Sequence, residues 1–378
     1  MDTSMEAVAP ETGSTRRAWW GILAVFVPSA LFTWVSHDVA EYHRYALAFL
    51  AHPGTAWPRE YPPLAIVPML LAVVPLLFTF GMAEVGVLTY GVLRKVDPRA
   101  ARTWILGCAL GALFVATGRF DLLPSLLVVL ALLAAERHAW VQAWTWTAAA
   151  AALQWFGAVL GPIWLIAEWR MTGRWRWDRA AAAGGAVLAT YGLAAVGAGP
   201  HAALSSILWF LHRPVEIESL AATLGAALGP LQLVHSFGSW NVLGSQMPGV
   251  HLGFIAAQVV GQAGLWVAYA RGRVGLRTAA ALAVTWLVLA GSLFSAQYLL
   301  WMLPLWALAD WRPRWLVLVV CLLTTVDYPF GFLVSHGAIG SLLAASARNV
   351  ALLALVIAVG YRAAALSRAE YQTSNATL

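Results

Sequence analysis

Long apolar segments separated by short polar ones follow one another along almost the whole chain. A helix needs about 20 apolar residues to cross a bilayer, so this pattern predicts an all-α, polytopic membrane protein with about 12 transmembrane helices. The segments lie at 18–36, 62–93, 103–118, 122–136, 141–153, 154–168, 180–198, 250–270, 277–294, 297–310, 314–327 and 341–361. Segment 62–93 is too long for one crossing and contains four prolines, so we expect its first part to be a broken or surface-lying helix.

Composition agrees with a membrane protein. Of 378 residues, 61% are hydrophobic and only 11% are charged, whereas a soluble domain carries about 25% charge. The two cysteines, Cys108 and Cys321, lie inside apolar runs. We therefore expect them to be small core side chains and not a disulfide.

The first apolar run predicts an anchoring helix. It follows Arg16 and Arg17 and lacks the small-residue cleavage site of a removed signal peptide. The expected organisation is a cytoplasmic tail at 1–17, a multi-span transmembrane domain at 18–362 with large outer loops at about 37–61 and 199–249, and a second cytoplasmic tail at 363–378.

The distribution of basic residues predicts the orientation, because cytoplasmic loops retain positive charge. With both termini inside, 18 of the 23 Lys and Arg residues fall on the cytoplasmic side. Most acidic residues and histidines of the loops then share the outer face. No pattern of basic and aromatic residues suggests binding of nucleic acid, and the membrane lipid is the expected partner of the basic face.

The first outer loop has the strongest local pattern. If 38–50 is helical, Asp38, Glu41, Tyr42 and Tyr45 share one face. Asp38 is then either a helix N-cap or a functional carboxylate. A divalent cation is possible there, but no ligand spacing supports a metal site. The loop ends in Glu60 and Tyr61, ahead of paired prolines.

Other polar residues stand in the remaining outer loops, and each also has an ordinary structural role open to it. Arg119 and Asp121 can form a salt bridge that caps the helix beginning near residue 122. Arg213 precedes a proline, and we expect the following acids, Glu216 and Glu218, to lie on one side of the chain. The further candidates are Gln297, Tyr298 and His336.

Five short motifs in this order resemble glycosyltransferase family 87, a family of membrane enzymes related to DUF2029 proteins and common in actinobacteria. They are the first-loop Asp38, then 60–64 (EYPPL), 118–124 (GRFDLLP), 213–219 (RPVEIES) and 294–304 (FSAQYLLWMLP). The chain departs from the family pattern at Gln154, where a lysine is expected, and at Ala296, where a proline is usual. The first departure puts the contacts to the donor phosphate in question.

The resemblance implies a GT-C fold and a membrane glycosyltransferase of the cell envelope. Such an enzyme moves a sugar, with mannose expected, from a polyprenyl-phosphate donor to a glycolipid or glycan acceptor at the extracytoplasmic face of the plasma membrane. Asp38 is then the base of an inverting displacement, and no cofactor other than the donor substrate is implied. The resemblance implies that Arg119 and Arg213 contact the donor phosphate and that protonated His336 assists them. It also implies that the other outer-loop residues named above contact the sugar or the acceptor.

A lipid or sugar transporter or flippase remains the main alternative. Transporters tend to place ionisable groups near the middle of the membrane at broken helices. The predicted spans here contain almost none beyond Glu84, and no internal repeat is apparent. Both observations favour the enzyme.

Overall fold

The protein is built almost entirely of helices. The structure is a computed structural model that describes residues 12–33, 37–309, 314–331 and 339–376. The first eight helices are α1 Thr12–Thr33, α2 His37–Ala51, α3 Ile66–Met69, α4 Pro75–Val96, α5 Pro98–Gly107, α6 Leu122–Glu136, α7 Trp140–Leu153 and α8 Gly161–Thr172. The others are α9 Trp177–Ala198, α10 Pro200–Ala203, α11 Ser205–His212, α12 Leu220–Leu228, α13 Met247–Ala270, α14 Leu276–Leu289, α15 Leu299–Leu308, α16 Arg314–Thr325 and α17 Ile339–Ala376.

The long helices overlap the predicted apolar segments, whereas α2, α10, α11 and α12 lie in the regions expected to be outer loops. The all-α expectation is confirmed for the bulk of the chain. Four helices among the described residues are long and apolar enough to cross a membrane, or five if the bent pair formed by α1 and α2 counts as one span. Several others, such as α6 and α14, have only 14 or 15 residues. The fold is compatible with a membrane protein, and the number of 12 crossings stays a prediction.

Prolines break the long segment 62–93 as expected. Two 3-10 turns, Pro63–Ala65 and Leu70–Val73, flank the short helix α3. Val74 is then extended, with ψ of 103°, and Pro75 occupies the first turn of α4, where its missing N–H costs nothing. The chain therefore turns before α4 begins.

The core is centred on α6 and the helices that pack on it. Almost every residue of α6 is apolar, and most are buried. The hydroxyl of Ser125 donates to the carbonyl oxygen of Leu300 at 2.7 Å and so ties α6 to α15. A helix that is apolar on all sides needs neighbours all round, which explains its central place.

The segment between α9 and α13 contains a small antiparallel sheet that the sequence analysis did not anticipate. Its strands are β1 Val215–Glu216, β2 Gln232–Ser236 and β3 Ser239–Leu243, in the order β1-β3-β2. Phe237 and Gly238 form the two-residue turn between β2 and β3, with φ of 54° and 72°. Positive φ at both positions is typical of a tight hairpin turn.

Candidate functional site

One cavity lies where α2, α6, the start of α15 and the small sheet meet. Its volume is about 230 Å³, which is below the roughly 300–1,000 Å³ of pockets that enclose a drug-sized ligand. The cavity therefore fits a small polar headgroup better than a whole lipid. Its lining consists of Asp38, Glu41, Tyr42, Glu60, Tyr61, Arg119, Asp121, Gln154, Trp209, Phe210, Arg213, Glu216, Phe237, Gly238, Ser239, Ser295, Gln297 and Tyr298.

The structure thus brings together most of the residues singled out in the sequence. Of the 13 predicted site residues, only Glu218 and His336 are missing from the lining. His336 lies outside the described residues. Glu218 is among the described residues, but its carboxyl group lies near Arg348 and not in the cavity.

Helix α2 presents three of the lining side chains from one face. Asp38 lies in its first turn, and Glu41 and Tyr42 follow one turn later, so the predicted helical spacing is confirmed. Tyr42 is 1% exposed and packs against the rings of Phe78 and Phe120. This aromatic contact fixes the rotation of α2 and so directs Asp38 into the cavity.

Asp38 forms an ion pair with Arg119. The distance from Arg119 Nη2 to Asp38 Oδ1 is 2.8 Å, and both side chains remain partly exposed to the cavity, at 19% and 27%. The Nε of Arg119 is buried and has no hydrogen-bond partner among the described residues. Because Nε is buried, an anionic ligand can reach this side chain only through the part that remains exposed to the cavity.

Arg213 is held in a similar way on the opposite wall. Its Nη2 donates to Glu216 Oε1 at 2.8 Å and to the hydroxyl of Ser239, and its guanidinium lies 4.6 Å from the ring centre of Trp209. Its Nε is also buried without a partner in the described part of the chain. Arg119 and Arg213 thus line the same cavity.

Asp121 is buried below the Asp38–Arg119 pair, immediately before α6. It is 2% exposed, and its Oδ1 accepts from the indole N–H of Trp301 at 2.7 Å. Burial raises the pKa of Asp121 to about 6, although Arg119 and the Trp301 hydrogen bond oppose that shift. Near neutral pH this carboxylate is therefore easily protonated.

The raised pKa of Asp121 predicts a stability that depends on pH. The folded state binds the proton of Asp121 more tightly than the unfolded chain does. The bound proton therefore adds to the free energy of unfolding in acid, and this contribution is lost as pH rises through about 6. A shift of about two pKa units corresponds to roughly 3 kcal/mol. We expect Asp121→Asn to lose less stability than the wild type between pH 4.5 and 8, measured by thermal unfolding in detergent. Parallel pH profiles for the two proteins would contradict this.

Glu60 and Tyr61 form the floor of the cavity near α2. Burial raises the pKa of Glu60, against the attraction of Arg213 and Arg119. Burial also raises the pKa of the Tyr61 phenol well above its usual value. The Tyr61 hydroxyl, 3.4 Å from that of Tyr42, therefore stays neutral and can donate or accept a hydrogen bond.

Gln297 and Tyr298 enter the cavity from a 3-10 turn, Ala296–Tyr298, that precedes α15. The ring of Tyr298 stacks on Trp301 with a centroid distance of 4.0 Å, and Trp301 stacks on Phe156 at 4.3 Å. In this stack of three rings Trp301, which donates to Asp121, lies between Tyr298 and Phe156.

Several lining residues were missed by the sequence analysis. They are Gln154, Trp209, Phe210, Phe237, Gly238, Ser239 and Ser295. Gln154 had been noted only as a departure from the family pattern, and it occupies the cavity as an uncharged side chain. The run 239–242 after Phe237 and Gly238 alternates polar and apolar residues in the manner of a strand, and that signal could have indicated the hairpin.

Glu218 does not line the cavity, and the expectation that Glu216 and Glu218 share a side is wrong. Strand β1 ends at Glu216, so the alternation of a strand does not extend to Glu218. The carboxyl group of Glu218 lies 3.6 Å from Arg348 Nη1, and burial raises its pKa well above the usual range. Glu218 therefore belongs to a separate buried cluster.

That cluster lies behind the cavity and connects α17 to β1. Arg348 is fully buried, donates to Asp327 Oδ2 at 2.9 Å and donates to the carbonyl oxygen of Glu218 at 2.6 Å. Its guanidinium also lies 3.7 Å from the ring centre of Phe294, whose backbone N–H donates to Glu216 Oε2. The cluster thereby supports the carboxylate that holds Arg213.

A second, apolar groove runs between α7 and α9. Its volume is about 500 Å³, and six of its 13 lining residues are alanine. Asp178 and Arg179 contribute polar atoms to it. Leu64, which follows Tyr61 of the cavity by three residues, also lines it.

No group of three or more His, Cys, Asp or Glu residues in the described part of the chain is arranged to hold a metal ion. The five carboxyl groups of the cavity are instead paired with arginines or separated from one another. Searches found no matching family model, curated protein or solved structure for the chain. The relationship to glycosyltransferase family 87 stays a prediction from its motifs.

Proposed function

We propose that the protein is a membrane glycosyltransferase of the GT-C type, a hexosyltransferase that takes a sugar, with mannose expected, from a polyprenyl-phosphate donor. The observation that supports this most is one cavity in which a partly exposed carboxylate, Asp38, is paired with Arg119 and a second arginine, Arg213, also lines the wall. A transfer from a sugar phosphate needs both a group that accepts a proton and cations for the leaving phosphate.

The proposed reaction is a single displacement with inversion. The acceptor hydroxyl oxygen attacks the anomeric carbon, the bond from that carbon to the phosphate oxygen breaks, and the phosphate leaves with the bonding electron pair. The acceptor proton moves to Asp38. Arg119, which is paired with Asp38, exchanges this carboxylate for the donor phosphate and so releases Asp38 to act as base.

The other lining residues have roles that follow from their chemistry. Arg213 is the second phosphate contact. It substitutes for the lysine that the family pattern has at the position of Gln154. Glu41, Tyr42, Glu60, Tyr61, Asp121, Glu216, Gln297 and Tyr298 are proposed contacts to sugar and acceptor hydroxyls or supports of those contacts. The rings of Tyr61 and Tyr298 offer apolar faces on which a sugar can rest.

In this proposal the cavity lies at the extracytoplasmic face of the plasma membrane. The chain crosses the membrane about 12 times, and both termini are in the cytoplasm. The distribution of Lys and Arg supports this orientation. A glycolipid or glycan acceptor reaches the cavity from that side, and the donor reaches it from within the lipid.

The alanine-lined groove is the proposed place of the donor's lipid chain. We expect Ala186→Trp, which fills the groove from α9, to raise the KM for a long-chain polyprenyl-phosphate sugar about tenfold. A chain excluded from the groove moves into lipid, so the loss comes from van der Waals contacts with the groove, and a tenfold change corresponds to about 1.4 kcal/mol. The KM for a short-chain donor should stay unchanged.

Ala189→Trp is the matched control, because Ala189 is exposed on the same helix and does not line the groove. Steady-state rates with donors of two chain lengths provide the measurement. An equal effect of both variants, or an equal effect on both donors, would argue against the groove.

To test the whole proposal, radiolabelled polyprenyl-phosphate sugars and membrane glycolipid acceptors are added to the purified protein in liposomes. Transfer of label to the acceptor, absent from Asp38→Asn, supports the enzyme. Movement of intact labelled donor across the bilayer without transfer would support the transporter or flippase instead.

A further inference from the structure

Two turns of the chain lie side by side at the ends of two candidate membrane spans. The turn 173–176 leads from α8 into α9, and the turn 271–275 leads from α13 into α14. Both α9 and α13 are long and apolar enough to cross a membrane. Arg170 joins the two turns, because its Nη1 donates to the carbonyl oxygen of Tyr269 at 2.9 Å. This part of the surface therefore lies where the two spans end.

The turns present positive charge that the protein itself does not neutralise. They contain three exposed arginines whose side chains form no ion pair or hydrogen bond within the described part of the chain, namely Arg174, Arg271 and Arg273. The acidic side chains closest to the first turn in sequence, Glu168 and Asp178, already bind Arg179 and Arg176, each at 2.6 Å. The surface around the turns therefore keeps a net positive charge.

Tryptophan rings border these arginines. The ring of Trp175 stacks on Trp169 with a centroid distance of 5.2 Å and on Trp177 at 6.1 Å. Trp175 and Trp177 are nevertheless 47% and 63% exposed. Exposed tryptophans are typical of the headgroup level of a bilayer, where the ring meets both lipid and water. The Trp–Arg patch, as it is called here, consists of Arg170, Arg174, Trp175, Trp177, Arg271 and Arg273.

We propose that the Trp–Arg patch binds the headgroup of an anionic phospholipid. Guanidinium groups form charge-assisted hydrogen bonds with phosphate oxygens, and the stacked rings lie beside the glycerol and the first methylenes of the lipid. A zwitterionic headgroup would bring its own cation towards the arginines, whereas a headgroup with net negative charge complements them. Lipid is the source of this anion because the patch lies at the ends of two candidate spans.

The lipid site is separate from the proposed sugar transfer. No residue of the Trp–Arg patch lines the cavity or the alanine-lined groove. The bound phospholipid is therefore neither the donor nor the acceptor of that reaction. Lipid binding can be measured without any turnover.

Equilibrium binding of two lipids to the purified full-length protein in detergent tests the proposal. The probes are phosphatidylglycerol and phosphatidylcholine, each with a fluorophore on the acyl chain. We expect phosphatidylglycerol to bind about tenfold more tightly, because its net charge complements the uncompensated arginines. The double variant Arg271→Gln/Arg273→Gln should bind it about 25-fold more weakly, since each arginine near an anionic surface contributes about fivefold.

Lys95→Gln/Arg102→Gln is the matched control. Both residues are exposed on α4 and α5, outside the Trp–Arg patch, and their replacement removes the same charge. Binding of phosphatidylglycerol should be unchanged in this variant. Thermal unfolding checks that each variant is folded, and Arg174→Gln, with an expected loss of about fivefold, replaces the double variant if that one does not fold.

Three results would overturn the proposal. They are equal affinity of the wild type for the two lipids, equal losses in the patch variant and the control, and displacement of the labelled lipid by inorganic phosphate beyond that caused by sodium chloride at the same ionic strength. The last result would indicate a site for a free anion. Loss of sugar transfer with unchanged lipid binding would bear only on the proposed function.

Discussion

Replacing Asp38 by asparagine should lower sugar transfer about 10²–10⁴-fold while the protein stays folded. The amide cannot accept the proton of the acceptor hydroxyl, and general-base catalysis contributes an effect of that size. Asparagine preserves the shape of the side chain next to Arg119, so donor binding should change far less than turnover. Initial rates and donor KM in liposomes measure the two effects separately.

Asp97→Asn is the matched control for this prediction. Asp97 caps α5 by accepting from the backbone N–H of Arg99, and it lies outside the cavity. Asparagine caps helices equally well, so activity should be unchanged. Normal turnover by Asp38→Asn, or an equal loss in Asp97→Asn, would remove Asp38 from the proposed mechanism.

Replacing Arg348 by methionine should lower the free energy of unfolding by about 3–5 kcal/mol. The substitution leaves Asp327 buried without its arginine, and an uncompensated buried charge carries a cost of that size. The same change removes the guanidinium donor to the carbonyl oxygen of Glu218. Denaturation in detergent followed by circular dichroism measures the loss.

Two further variants sharpen this prediction. Arg176→Met breaks an exposed pair with Asp178 and should lower the free energy of unfolding far less. Glu218→Gln should also cost less, because the carboxyl group of Glu218 lies 3.6 Å from Arg348 Nη1, whereas Asp327 accepts from that atom at 2.9 Å. A loss in Glu218→Gln as large as in Arg348→Met would contradict the assignment of Asp327 as the main ionic partner of Arg348.

The positions of the helices followed closely from the sequence. The apolar run at 122–136 became α6 with the same bounds, and the paired prolines Pro62 and Pro63 stand at the start of the 3-10 turn that leads into α3. These features depend on local preferences and on the period of apolar residues, which a sequence displays directly. Whether short helices such as α6 cross a membrane depends on their surroundings and was not determined in this way.

The residues of the site were also largely predictable, but their partners were not. Asp38 and Arg119 were each identified as candidates, yet their 2.8 Å ion pair joins two segments that are far apart in the chain. The same holds for Arg213, whose partner Ser239 comes from a hairpin that the analysis missed. Motif positions indicate which side chains have chemistry, and only packing brings them within bonding distance.

The sequence by itself determined a helical, apolar chain and the residue types that line its cavity, because hydropathy and helix signals act over a few neighbouring residues. The tertiary structure decided which of two nearby acidic side chains lines the cavity. Glu216 binds Arg213, whereas Glu218 is withdrawn to Arg348, since β1 ends between them. Long-range packing sets that division, and no spacing along the chain encodes it.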